Sequence, residues 1–184
     1  MLDPGKYKDL DRKHPEDAAT VVGVVERSIF FAHTIREIEA AILRIQGIHF
    51  HVITNVDDHV RIAAINFNPS GCDINLPCSD EENNLGFRLT LAHEIGHLIY
   101  NISKLKALMN MGATLDARSY TEEEQEYAWR FAKKLVLVKS KEYEVGLIPQ
   151  FQKNIYTLEV VNQFLSAHLN GKIEKKHLKA ILKS

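Results

Sequence analysis

Residues 84–101 read NLGFRLTLAHEIGHLIYN. Good helix formers dominate the stretch, proline is absent, and Phe87, Leu89, Leu91, Ala92, Ile95, Leu98 and Ile99 supply apolar surface. This predicts a long helix from about Leu85 to Tyr100. Inside it lies His93-Glu94-Ile95-Gly96-His97. Four residues apart on a helix, His93 and His97 project from one face, about 6 Å apart along the axis. That spacing lets two neutral imidazoles reach one zinc ion at about 2.0–2.1 Å. Glu94 stands about 100° further round the axis, where it reaches a metal-held water without being a ligand. The metal acidifies that water, and Glu94 takes its proton and later returns it to a leaving amine. In a chain with 9 histidines, a chance H-E-x-x-H has an expectation of about 0.04. The bland alternative is a pair of core-edge histidines with ordinary polar contacts. Gly96 is read as a point where another segment comes close to the helix.

Upstream, SIFFAHTIREIEAAILRIQG (28–47) reads as a helix capped by Ser28 and ended by Gly47. Its apolar face comes from Ile35, Ile38, Ile42 and Ile45. The period then shortens. HFHVITNV (49–56) and HVRIAAINF (59–67) are strand-like with Asp57-Asp58 as a turn between them, and CDINLP (72–77) is a third short strand. A small antiparallel sheet packed on helices follows. Downstream, residues 101–119 contain Gly112 and no clear period and are read as a loop with room for a short helical piece. SYTEEEQEYAWRFAKKLVLV opens a second helix, with Thr121 as cap and Glu122, Glu123 and Glu124 in its first turn, where the helix dipole favours anions. TLEVVNQFLSAHLNG (157–171) and KIEKKHLKAILKS (172–184) give two more helices. The organisation is an N-terminal arm (1–27), a core (28–140) and a C-terminal helical extension packed on it (141–184). Its class is α+β.

The bulk numbers narrow the field. A chain of 184 residues buries a core without staples. Lys+Arg 23 against Asp+Glu 24 leaves a formal charge of -1, so nothing favours direct nucleic-acid or anionic-membrane binding. Two cysteines, Cys72 and Cys78, are too few for a disulfide scaffold. No stretch is long and apolar enough for a membrane helix. The charged opening MLDPGKYKDLDRKHPED has no apolar signal-peptide core, so a cytoplasmic setting is expected.

A site with two histidines needs a third protein ligand, and the acidic helix is its natural source. RLTLAHEIGHLIY followed by EEEQEYAWRFAKKLVL resembles the ImmA/IrrE family of zinc metallopeptidases. That family reads R-x-F-T-L-A-H-E-L-G-H and then E-x-x-A-(N/D)-x-F-A-x-x-L-L-M-P. Arg88, Thr90, Leu91, Ala92, His93, Glu94, Gly96, His97 and Leu98 match the first block. Ala128, Phe131, Ala132 and Leu135 match the second. AAINFNPSGCDINLP also looks like the family's stretch before the zinc helix, and the likeness covers about residues 28–140. It implies a zincin-like fold, Zn2+ held by His93 and His97, and Glu94 as the base. It also implies a protein substrate such as a helix-turn-helix repressor or antirepressor, whose cleavage switches on mobile-element or stress genes.

The second block departs from the pattern. The family's glutamate ligand falls on Gln125, its acidic or amide residue on Trp129, and its terminal proline on Val138. A glutamine carbonyl is a poorer zinc ligand than a carboxylate. Glu126 is therefore the first choice for third ligand, with Glu122 or Gln125 as alternatives, and the remaining glutamates are read as a capped, solvated helix start. The rival reading is a decayed metal site in a non-catalytic regulatory or antitoxin-like protein-binding module.

Other residues carry weaker signals. Tyr100, Tyr120 and Tyr127 lie near the site in sequence, and a tyrosine hydroxyl can steady an oxyanion. His49 and His51 share a strand face, and with His59 they are read as exposed rather than metal-binding. Trp129 and Phe131 read as core. The lysines at 172, 175, 176, 179 and 183 are read as the solvated face of a helix with a core stripe of Ile173, Leu178, Ile181 and Leu182.

Overall fold

In the computed structural model the described residues are 40, 42–43, 48–55, 64–68, 71–77, 85–110, 120–144 and 156–184. Their elements run β1 (His49–Asn55), β2 (Ala64–Asn68), β3 (Gly71–Pro77), α1 (Leu85–Asn110), α2 (Glu122–Glu144), α3 (Leu158–Leu169) and α4 (Lys175–Lys183). The arm 1–27 and nearly all of the expected helix 28–47 lie outside the described residues. Ile42, from that helix, is buried in the core.

The core is built around α1. Every residue from Ala92 to Ile99 is buried, so this part of the helix is covered all round rather than along one stripe. α2 packs along α1, while β3 and β2 touch α1 as well. The closest approach is at Gly96. A Cβ built there would stand 2.7 Å from Ala128 Cα and 3.0 Å from Ala128 O. Only glycine allows the two helices to meet so closely, as the sequence suggests.

Two expectations are corrected here. An α+β zincin-like fold with a small antiparallel sheet is not what forms. Helices make up most of the described residues, and the short sheet is mixed. β3 is central, pairing parallel with β1 (His49↔Gly71 to Asn55↔Pro77) and antiparallel with β2. The hairpin therefore joins β2 to β3 and not β1 to β2. Alternating side chains reveal that a strand exists, but its partner is set by packing elsewhere in the chain. The second correction concerns residues 101–119. Helix α1 runs on to Asn110, because Ile102 and Leu105 prolong the buried stripe of Leu98. The rest of that presumed loop lies outside the described residues.

The predicted cap Thr121 is in place, and the structure adds a second at Thr157. Thr121 Oγ1 accepts from Glu124 N at 3.1 Å at the start of α2. Thr157 Oγ1 accepts from Val160 N at 3.3 Å at the start of α3. Gly171, with φ +75, follows the end of α3 in the left-handed conformation that favours glycine. Cys72 is buried, and burial, with Asp73 adding to it, pushes its thiol up to about 12. No helix among the described residues is long and apolar enough to cross a membrane.

α4 packs on α2, and α3 on α4. The joint is polar at one point. Lys133, 1% exposed, sends its ammonium from α2 to Ile181 O at 3.0 Å and Leu182 O at 2.9 Å. These are carbonyls of the last turn of α4, which have no partner within the helix, and a cation there also complements the helix dipole. Lys133→Met keeps the apolar stem and removes the donors. It is expected to lower the unfolding free energy by about 1–3 kcal/mol, measured by urea denaturation. An unchanged midpoint would show that the contact carries no stability.

Candidate metal centre

α1 places His93 and His97 on the face that meets α2, and the pair converges. His97 Nε2 lies 3.0 Å from His93 Nε2, and the rings meet edge to face with centroids 4.5 Å apart. An aromatic wall stands behind each ring. Trp129 stacks on His93 at 3.9 Å, and Tyr120 stacks on His97 at 4.0 Å. Both histidines are buried, His97 to 1% exposure. Burial above all, with His97 and His168 adding to it, holds His93 well below the ordinary histidine range. It is a neutral imidazole, the form that binds metals.

The carboxylate that reaches this pair is Glu124. Its Oε1 lies 2.9 Å from His97 Nδ1 and accepts from Asn101 Nδ2 at 2.6 Å. The same Asn101 amide donates to His97 O at 2.9 Å. Glu126, the expected third ligand, is engaged elsewhere. Its Oε2 lies 2.6 Å from His177 Nδ1, and its Oε1 accepts from Arg130 at 3.4 Å. The reason is helical geometry: two residues along a helix is about 200° round the axis, so Glu124 and Glu126 cannot serve the same face. Glu122 shares the face of Glu126, and its buried Oε2 has no hydrogen-bond partner among the described residues. Gln125 is half-buried.

Sequence reasoning grouped Glu124 with a solvated helix start. The overlooked signal was Ala128, one turn later on the same face. A small residue at 128 matches Gly96 at the helix crossing, and a residue one turn earlier then falls beside His97. Tyr120 was one of three tyrosines with nothing to separate them, and its ring contact now does so. Tyr100 lies 43% exposed, 5.4 Å from Tyr127. His49 and His51 are exposed with ring centroids 6.3 Å apart, and His59 lies outside the described residues. Trp129 is core, as expected, and also forms the wall behind His93.

Glu94 is buried, and that burial raises its carboxyl above the usual range, partly offset by His97. Burial also pushes the Tyr120 hydroxyl up, helped by Glu94 and Glu124, so Tyr120 keeps its proton and remains a donor.

The histidine pair suits zinc. Two nitrogens bound at about 2.0–2.1 Å on a tetrahedral ion stand about 3.3 Å apart, within a few tenths of an ångström of the separation seen. His93 Nδ1 is buried with no hydrogen-bond partner among the described residues. No group of three His, Cys, Asp or Glu suited to holding an ion occurs among the described residues, so beside the histidine pair these offer no third candidate ligand. Comparison with protein-family models, curated proteins and solved structures finds no match.

Proposed function

We propose that this chain is a zinc-dependent metallopeptidase of the ImmA/IrrE type that cleaves a regulatory protein. The observation that carries the reading is the convergence of His93 and His97, through their Nε2 atoms, beside the buried Glu94. Bound zinc supplies a Lewis acid that acidifies water and polarises a carbonyl. Glu94 takes the proton from the attacking water and delivers it to the leaving amine. Its raised carboxyl suits the first of these steps, since a higher pKa makes the carboxylate a stronger proton acceptor. Tyr120, kept protonated, supplies a donor beside His97 for the developing oxyanion. Trp129 and Tyr120 fix the two imidazoles by stacking, which holds the ligand geometry before any ion arrives. By the resemblance, the substrate is a helix-turn-helix repressor or antirepressor and the setting is the cytoplasm.

The test is a survey of protein N-termini in cells expressing the chain or its Glu94→Gln variant. New N-termini confined to a small set of regulatory proteins, and present only with wild type, are expected. Identical N-terminal profiles would overturn the hydrolytic reading.

One observation favours a second reading. Glu126 is committed to His177 and Arg130, and Gln125 stands where the family has its ligand. A chain that recognises a regulatory protein without cutting it fits those facts. It would capture the same partner in wild-type and Glu94→Gln forms alike, with no cleavage.

A further inference from the structure

The run Glu122-Glu123-Glu124 sits just after the cap Thr121, the place where a glutamate three residues on commonly turns back to the cap. Glu124 instead reaches across to α1. Its Oε1 meets His97 Nδ1 at 2.9 Å, and Asn101 holds that oxygen at 2.6 Å. Glu124 itself is 6% exposed. We infer that Glu124 is a positioning residue, clamped by Asn101, which holds His97 in the tautomer that presents Nε2 to a divalent cation. The inference rests on the zinc reading for its purpose, though not for its geometry.

The hydrogen atoms follow from the donors and acceptors on hand. A carboxylate only accepts, so His97 Nδ1 carries the proton and donates to Glu124. In the neutral ring, the form that takes a metal, His97 Nε2 is then a lone pair. The 3.0 Å contact between the rings is completed by His93 Nε2–H, which leaves the lone pair of His93 Nδ1 as the orphan. The two imidazoles are therefore unequal. His97 is ready to ligate, whereas His93 must first move its proton from Nε2 to Nδ1, where the described residues offer no acceptor. A carboxylate behind a ligating histidine fixes its ring and raises its basicity. Because Nδ1 and Nε2 diverge across the ring, an oxygen on the first does not reach an ion on the second. Glu124 thus belongs behind His97 rather than on the metal.

The experiment uses the full chain, purified metal-free. Long-range proton–nitrogen NMR reads the His97 tautomer, and zinc is titrated against a chromophoric chelator. Wild type should show the Nδ1–H form of His97, and Glu124→Gln should show a mixture. The same variant should bind zinc about 10–100-fold more weakly, while Glu126→Gln stays within about twofold. If Glu124→Gln fails to fold, Asn101→Ala decides, with a loss of about tenfold in zinc affinity expected. An unchanged tautomer and unchanged affinity in Glu124→Gln would overturn the positioning role. Complete loss of zinc from a folded Glu124→Gln, with Asn101→Ala silent, would make Glu124 an inner ligand and overturn it too. Wild type that takes up no zinc would instead overturn the zinc reading, leaving the tautomer result to judge Glu124.

Discussion

Gly96→Val is expected to destabilise the chain by about 3 kcal/mol, near the upper end of the usual cost of overpacking. The added atoms meet the backbone of α2 rather than a side chain that can turn away. Already the first of them, Cβ, would stand 2.7 Å from Ala128 Cα, 3.0 Å from its carbonyl oxygen and 3.1 Å from its Cβ. The helices must therefore separate, and they separate where His97 meets Glu124. Gly96→Ala is the milder case. Its clash is offset by about 1 kcal/mol of helix propensity gained over glycine, so a net loss of up to about 2 kcal/mol is expected. Adding Ala128→Gly to Gly96→Ala removes only the 3.1 Å contact, so the rescue should be partial. Urea unfolding of the four chains gives the coupling directly. A Gly96→Val chain as stable as wild type would mean that α1 and α2 do not cross there.

Glu94→Gln is expected to lower cleavage of the substrate identified from its new N-terminus by about 10²–10⁴-fold, the usual contribution of a general base. Glutamine keeps the size and loses the proton acceptor. Zinc affinity should stay within about twofold, because the ion is held through His93 and His97. Burial already favours the uncharged form of Glu94, so the substitution spares the fold and separates chemistry from structure. Cleavage at the wild-type rate by this variant would remove Glu94 from the mechanism, and a matching loss of zinc would recast it as a ligand.

What could be read from the sequence divides along physical lines. Helix existence and capping are local properties, so Thr121 was legible as a cap and the stretch 157–171 as a helix ending at Gly171. The His93–His97 pair was legible because its spacing is set by one helix. Properties that join distant segments were not. The partner of β1 depends on where β3 packs, and alternation is silent on that. The end of α1 was missed because polar residues after Tyr100 masked the buried Asn101, Ile102 and Leu105. The choice of Glu124 over Glu126 depends on the rotation of α2 against α1, which Gly96 and Ala128 fix together. Each of those small residues was noticed singly, and their pairing held the answer. The burial of Lys133 and His177 was not legible for a similar reason, since the elements that cover them lie far along the chain.

Zinc X-ray absorption of the wild-type chain, loaded with one equivalent and freed of excess ion, probes the histidine pair itself. The expected inner shell contains two imidazole nitrogens at about 2.0–2.1 Å, and both the bound ion and this signal should be lost on His93→Ala. A chain that retains no zinc, or a shell without imidazole, would contradict the assignment of His93 and His97 as a metal centre.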